Sequence, residues 1–324
     1  MHIHDRVYGS FDITDSVILE LLYTKPVLRL KHINQAGASQ YLAPWKNVSR
    51  LEHSVGVMLL LRKYGADLTE QIAGLLHDLP HTAFSHVADF VYENPNHEYH
   101  EQFHSEFIDK TEIGEILQKH VIPKTVAHPE HFLLLERNLP DLCADRIDYS
   151  LRDYFIWKKD VVAIELILRD LVVHRKEFMF RTVDAAHVFS QNYLELDRTS
   201  WANPREVALY IIMAQAIRHA LDKGILTNKD FFTDDELVYE LLKTKGDAYI
   251  QKKLRFFTPA FRIEPATKED HHLFVKTKIR AVDPKVLAKG KIKRLSELVP
   301  GFKKELKAHQ EAGKQGQYIY VYEK

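Results

Sequence analysis

An apolar helical run that ends in a histidine, an aspartate and then a proline restricts this fold more than any other feature of the sequence. Residues Leu75–Asp89 read Leu-Leu-His-Asp-Leu-Pro-His-Thr-Ala-Phe-Ser-His-Val-Ala-Asp, directly after the apolar Ile72–Leu76. Pro80 biases Leu79 away from helical angles, so a helix should end here. A buried helix end leaves carbonyls that need polar partners. His77 and Asp78 place an imidazole beside a carboxylate, the ligand types that divalent transition metals accept. His81 follows His77 by four residues and would share its face on an unbroken helix. Taken singly, each histidine reads as readily as a surface bystander. The pair is different, because a carboxylate beside an apolar face needs a partner or a metal.

Histidine is also where the composition is unusual. Six of the 19 (His77, His81, His86, His97, His100 and His104) fall within 28 residues. Elsewhere the chain of 324 residues is ordinary: 45% hydrophobic, 28% charged, with 45 basic and 45 acidic side chains. That balance gives no basic field calling for nucleic acid. The one cysteine, Cys143, excludes an intrachain disulfide and fits a reducing compartment. The opening residues lack the basic start and apolar core of a signal peptide, and runs such as Val57–Leu61 are too short to span a bilayer. A cytoplasmic protein is expected.

Helical patterns dominate the first two thirds. Asp12–Leu22 reads as a short helix stopped by Pro26, and Val27–Ile33 begins another. Asn47 or Ser49 caps a helix through Tyr64 that carries His53, and Asp67 caps the one leading into the His-Asp pair. Ser85 is expected to cap a helix through Tyr92, and His97–Asp109 to be helical, with His97 on a solvated face. Val161–Val173, Asp184–Trp201 and Pro204–Lys223 are further helices, and Glu177–Val183 alternates like a strand. Phe256–Ile263, His272–Ile279 and Gln317–Glu323 are rich in β-formers, while the lysine-rich Lys285–Lys307 reads as a solvated face or a local phosphate patch. The expectation is a mainly α chain: a helical domain over residues 1–230, then a helical and small-sheet region, 231–324.

Cys143–Trp157 is the second informative stretch. Wound at about 100° per residue, it puts Asp145, Asp148, Tyr149, Arg152 and Asp153 on one side. An amphipathic surface helix would look similar. Three carboxylates on one face repel, however, unless a cation or hydrogen-bond donors separate them. A site fits that better than open solvent.

In order, His53, His77-Asp78 and Asp145 resemble the H…HD…D signature of the HD superfamily of metal-dependent phosphohydrolases. The flanks resemble its deoxynucleoside triphosphate triphosphohydrolase branch: Tyr8-Gly9, Leu28–Gln35, Arg50–Val57, His81–His86, His100-Glu101-Gln102 and Asp145–Asp153. The resemblance covers roughly residues 5–155. It implies an HD helical bundle with a small C-terminal α/β appendage, hydrolysing deoxynucleoside triphosphates to deoxynucleoside and triphosphate. His53, His77, Asp78 and Asp145 would hold one divalent transition metal (Mn, Fe, Ni, Co or Zn), with Mg able to ride on the substrate phosphates. His81 and His86 would lie near the α-phosphate, and His100 with Glu101 would form the acid/base pair. Arg50 and Arg146 match phosphate contacts; Gln35, Tyr149 and Asp153 match positions that read the sugar. The nucleotide is the expected partner, and a homo-oligomer is implied.

The sequence departs from that pattern in places. Leu79-Pro80 replaces a glycine before His81, and Tyr23 and Leu28 stand where regulated members carry polar nucleotide-reading side chains. The basic contacts to the terminal phosphates do not align, leaving Arg198, Arg205 and Arg218 as candidates. Other readings are the same site acting on a nucleoside monophosphate or a cyclic nucleotide, with His81, His86, His100 and His104 able to hold a second metal. A non-catalytic nucleotide-binding regulator would keep the fold but lose a ligand. A zincin-like reading of His77-Asp-Leu-Pro-His81 fails, since Pro80 breaks the helix that motif needs.

Overall fold

The computed structural model describes residues 1–94, 99–276, 278–288 and 290–323. Helices carry most of the chain, with small sheets as additions. Helix Arg50–Lys63 starts where Ser49 Oγ accepts the Glu52 N–H, and helix Leu68–Leu76 where Asp67 accepts the Glu70 N–H. These two pack face to face. Gly74 lets them approach, since a Cβ there would meet Leu61 Cδ1 at 2.6 Å. Leu59, Leu60, Leu61, Ile72 and Leu75 are fully buried between and around them. At about 1.5–3 kcal/mol per large aliphatic side chain, that burial fixes the pair as the frame of the site. Helix Ala144–Lys158 lies against Arg50–Lys63.

The apolar interior falls into two clusters. The first draws on residues from Val7 to Leu196 and is joined late in the chain by Ala281, Val282, Val286, Leu295, Phe302 and Leu306. The second holds Ala38, Ala83, Phe84, Val87, Ala88, Val91 and many apolar residues between Val207 and Val275, with Ile319. Leu75, Leu76 and Leu79 belong to the first cluster, whereas Ala83, Phe84 and Val87 belong to the second. The His-Asp stretch therefore crosses from one cluster to the other.

Several local expectations change. Phe84 and Ser85 adopt left-handed angles (φ 60° and 54°), so the following helix is only Val87–Val91 and Ser85 does not cap it. Ser85 Oγ instead donates to the Asn34 carbonyl (2.7 Å) and accepts from Arg50 Nε (3.0 Å). The helix from Val161 stops at Asp170, and Leu171–His174 pairs antiparallel with Glu177–Phe180. Arg175 and Lys176 make that turn with φ of 51° and 59°. This is the twist a two-residue hairpin wants, but without the Asn-Gly that usually announces it. Part of the lysine-rich run forms a second hairpin, Lys285–Ala288 with Lys291–Arg294, which joins this sheet through Phe180 and Val286. Arg262–Pro265, Gln317–Tyr322 and Leu273–Val275 form a separate antiparallel sheet. His2–Asp5 and Gly9–Asp12 make an N-terminal hairpin that composition did not announce. Tyr99–Phe103 is a 3-10 turn ahead of helix His104–Asp109, and His97 lies outside the described residues.

Candidate metal centre and its cleft

Four side chains from three helical segments converge. His53 comes from the first turn of Arg50–Lys63, His77 and Asp78 from just past the end of Leu68–Leu76, and Asp145 from the first turn of Ala144–Lys158. His53 Nε2 lies 2.9 Å from Asp145 Oδ1 and 3.3 Å from His77 Nε2. His77 Nε2 is 3.5 Å from both Asp78 Oδ1 and Asp145 Oδ1, and His53 Nε2 is 3.8 Å from Asp78 Oδ2. Ligands about 2.1 Å from one ion stand roughly 3.0–3.4 Å apart, so these spacings suit a single cation.

The far side of each ring supports that fit. His77 Nδ1 lies 2.8 Å from the Gly74 carbonyl, an acceptor only, so this nitrogen carries the proton and Nε2 keeps its lone pair. His53 Nδ1 likewise meets Asp148 Oδ2 at 2.7 Å. Two lone pairs and two carboxylates facing one point in a buried place need a cation. The electrostatics agree. Burial opposes charge on Asp78 and Asp145, but Arg50 and the imidazoles for the first, and His53 and His77 for the second, hold both carboxyls below their usual range. Burial also opposes protonation of His53, yet Asp145, Asp148 and Asp78 together push its imidazole up to about 10, so without a metal ion a proton on Nε2 answers Asp145 at the place a bound cation would take.

Behind the donors runs a buried chain of charges. Arg152, with no exposed surface, donates from Nε to Asp148 Oδ2 (2.7 Å), from Nη2 to Asp5 Oδ2 (2.6 Å) and from Nη1 to Glu52 Oε1 (3.0 Å). Gly56 makes room for it: a Cβ there would lie 1.7 Å from Arg152 Nη2 and 2.2 Å from Asp148 Oδ1. Arg50 donates from Nη1 to Asp78 Oδ2 (2.8 Å), turning that carboxylate into the centre.

A second group of histidines stands beside the donors. His81 Nε2 is 3.2 Å from Asp78 Oδ1, and its ring stacks on His100 at 3.8 Å. His86 sits edge-on to His81 at 5.2 Å and is held by Asp89 Oδ2 (3.0 Å). His104 lies 6.3 Å beyond His100. Burial keeps all four rings neutral, aided by Arg50 at His81 and His86, with His81 pushed down to about 3 and His104 to about 4. Asp78, His81 and His100 offer three ligand atoms within 4.8 Å of one another. Glu101 is exposed on its turn.

This rim rests on long-range contacts. Arg29 donates to the carbonyls of Leu79 (2.5 Å), His81 (2.8 Å), Phe232 (3.1 Å) and Thr233 (2.9 Å), tying the turn after helix Leu68–Leu76 to the end of helix Asn228–Phe231. Asp235 accepts the Phe84 N–H (2.6 Å), the Asn34 N–H (2.9 Å) and Gln40 Nε2 (2.8 Å).

The remaining site candidates are not all gathered at the centre. Tyr149 lies 6.5 Å from the His53 ring and shares a 2.5 Å hydroxyl contact with Tyr193. Asp153 accepts from Trp201 Nε1 (2.6 Å) and, with Trp45, Lys46, Trp157, Ser200 and Glu206, lines a cavity of ≈ 60 Å³. Gln35 Oε1 is buried and has no hydrogen-bond partner among the described residues. Arg146 is turned away, donating to the carbonyls of Asp141 (2.7 Å) and Arg137 (3.0 Å). Its Nη1 also lies 3.1 Å from Cys143 Sγ, so a cation already occupies the group Glu136, Cys143 and Asp145. The sequence pattern set Asp148 and Arg152 on the Asp145 face without giving either a role, and gave none to Asp5, Glu52, Arg29 or Asp235. Only Asp148 and Arg152 carried a signal, through their face on the Asp145 helix.

With this geometry in hand, comparison with known proteins is direct. The HD domain family matches residues 50–153. The uncharacterized protein YdhJ of Bacillus subtilis is 36% identical over 325 residues, 99% of each chain. The metal-dependent phosphohydrolase cns2 of Cordyceps militaris is 32% identical over 300 residues, 89% of this chain and 85% of its own. A Dictyostelium discoideum homolog of the deoxynucleoside triphosphate triphosphohydrolase SAMHD1 is 34% identical over 100 residues, 26% of this chain and 19% of its own. A crystal structure of a phosphohydrolase from Bacteroides thetaiotaomicron shares the fold across 100% of both chains, with a TM-score of 0.72 at 17% identity.

Proposed function

This chain belongs to the HD-domain family of metal-dependent phosphohydrolases, and from that premise we propose that it cleaves deoxynucleoside triphosphates at the α-phosphorus, releasing deoxynucleoside and triphosphate. In this reading His53, His77, Asp78 and Asp145 hold one divalent transition metal. Such a metal supplies Lewis acidity toward phosphate oxygens and acidifies a water. The chain's own residues do the rest. Asp148 and the Gly74 carbonyl hold the His53 and His77 rings with Nε2 inward. Arg50 keeps Asp78 aimed at the centre and brings positive charge to the phosphoryl site. His81, His86 and His100 offer neutral imidazoles that hydrogen-bond phosphate oxygens, and His100 with Glu101 handles the proton of the departing oxygen.

Gln35 carries the deoxynucleotide part. A buried amide oxygen without a donor is costly, and a sugar 3′-hydroxyl is a donor of the right kind to fill it. Tyr149 and Asp153, one and two turns beyond Asp145, would face the same sugar, the ring leaving no room for a 2′-hydroxyl. The partial kinship to a triphosphohydrolase homolog points the same way. The chain is expected to work in the cytoplasm as a homo-oligomer, which sedimentation tests. For the chemistry, the metal-replete protein is incubated with deoxy- and ribonucleoside tri- and monophosphates and cyclic nucleotides, and the products are separated. Triphosphate and deoxynucleoside are expected, with ribonucleotides spared. Inorganic phosphate from a monophosphate, or equal cleavage of ribonucleotides, would overturn the reading. That result would favour a monophosphate or cyclic-nucleotide phosphohydrolase. Asp78, His81 and His100 give this alternative a place for a second metal, which a metal count per chain decides.

A further inference from the structure

Phosphate chains need cations beyond the metal, and the basic side chains with that expected role are already engaged. Arg198 pairs with Glu305 (3.4 Å). Arg205 donates to the carbonyls of Phe261 (2.8 Å) and Pro259 (2.9 Å). Arg218 donates to the carbonyls of Phe90 and Val91, both at 2.8 Å or less for at least one nitrogen, and pairs with Glu93 at 2.9 Å. Arg146 is held by Asp141 and Arg137.

Arg280 differs from all four. Its backbone is anchored on both sides. The Arg280 N–H donates to Asp197 Oδ2 (3.2 Å), and His309 Nε2 donates to the same carboxylate (2.9 Å) and to the Arg280 carbonyl (3.3 Å). Ala281 and Val282 then sink into the first core, and the Asp283 N–H donates to the Pro140 carbonyl (3.1 Å). The main chain is thus fixed, and the guanidinium projects from a defined point.

That guanidinium lies within electrostatic range of Tyr149, Tyr193 and Tyr210, and also of His86. Three of these residues adjoin site candidates. Tyr149 is one turn beyond Asp145 and beside the His53 ring. Tyr210 donates to the Ala36 carbonyl (2.8 Å), next to Gln35. His86 neighbours both His81 and His100. Among the described residues, the Arg280 guanidinium makes no hydrogen bond and no carboxylate stands at ion-pair distance; Asp197, the acid that acts on it, accepts from the backbone and from His309 through Oδ2, and its buried Oδ1 has no partner among these residues. The side chain is partly buried, and its nitrogens keep contact with solvent. A guanidinium partly desolvated without a hydrogen-bonded carboxylate is costly, and its planar fork suits a phosphate oxygen pair.

We propose that Arg280 binds a phosphate group of the substrate, so that the C-terminal part of the chain completes the substrate site. This rests on the reading that the substrate is a phosphoester. Two measurements on the full-length, metal-replete protein test it. In the first, the unaltered protein is treated with phenylglyoxal, and arginine labelling is followed by mass spectrometry with and without inorganic phosphate or tripolyphosphate. Arg280 should label, either anion should slow its labelling, and Arg198 should be indifferent. In the second, Arg280→Gln should weaken inhibition by tripolyphosphate on the order of tenfold to a hundredfold, the loss of one charge-assisted contact. KM should rise more than kcat falls, with metal content and melting temperature unchanged, and Arg280→Lys should recover part of the affinity. If the Gln variant does not fold, the labelling decides. Absent labelling of Arg280, labelling that neither anion slows, or a folded Gln variant with unaltered inhibition would overturn the proposal. The two readings fail separately. A monophosphate substrate with Arg280 still protected by inorganic phosphate sinks only the triphosphate reading, whereas triphosphate release with an indifferent Arg280 sinks only this one.

Discussion

The two halves of the site are built in different ways. His53, His77, Asp78 and Asp145 ride on or at the ends of helices packed in the first core, and a buried chain from Asp148 through Arg152 to Asp5 and Glu52 backs them. The histidine rim, His81, His86 and His100, rides on turns over the second core. It is held by single groups reaching from far along the chain, Arg29 and Asp235. Left-handed angles at Phe84 and Ser85 cost on the order of 1–3 kcal/mol each, so that turn persists only while such contacts hold it. Donor geometry is thus set by packing and rim geometry by a few replaceable hydrogen bonds. Substitutions should therefore act on the first half through metal binding and on the second through local order.

The largest expected effect breaks the first half. Replacing His77 and Asp78 together by Ala removes two of four donors at a point where both helices keep their apolar contacts. Metal content and hydrolysis should both vanish while the helical circular dichroism stays. Full metal occupancy in a folded double variant would refute the assignment of the centre.

A smaller effect tests whether the buried chain matters. Asp148→Asn keeps the shape but removes the charge shared by His53 Nδ1 and Arg152 Nε. Loss of such a supporting partner costs about 10–100-fold in metal affinity. A competition titration against a chromophoric chelator reads this directly. If the affinity is unchanged, the contrast drawn here between the two halves loses its basis.

These same differences decide what the sequence could reveal. Donors on helices obey a 3.6-residue period, so Asp145, Asp148, Tyr149, Arg152 and Asp153 could be grouped from spacing alone. The Ser49 and Asp67 caps were legible for a like reason: each acts within three residues. The rim was not legible. Arg29 meets His81 across 52 positions and Asp235 meets Phe84 across 151, and no periodicity links them. The Leu171–Phe180 hairpin was missed because Arg175 and Lys176 make a turn that composition assigns to glycine and asparagine. Arg280 was missed for a third reason. It sits in a basic, turn-rich stretch where one arginine looks like the others until its neighbours are placed.

The smallest effect belongs to the rim and depends on pH. Asp235 accepts three N–H groups, yet its burial outweighs them and pushes the carboxyl up to about 6. A carboxyl raised in the folded state binds its proton more tightly folded than unfolded. Its contribution therefore favours folding at low pH and is lost as pH rises through about 6, opposite in sign to an ion-paired carboxylate. Asp235→Asn removes the titration, and its amide group would also turn a donor toward the Asn34 or Phe84 N–H, lowering stability at every pH. The pH-dependent part is isolated by the difference in urea unfolding free energy between the two proteins. From pH 7 to pH 4.5 that difference should move by roughly 2 kcal/mol in favour of the unaltered protein. Metal affinity at pH 7 should move far less than in Asp148→Asn, because Asp235 touches the rim and none of the four donors. A flat difference across that range would mean that the three donors keep Asp235 charged. An equal loss of metal affinity in the two variants would mean that rim and centre form a single unit.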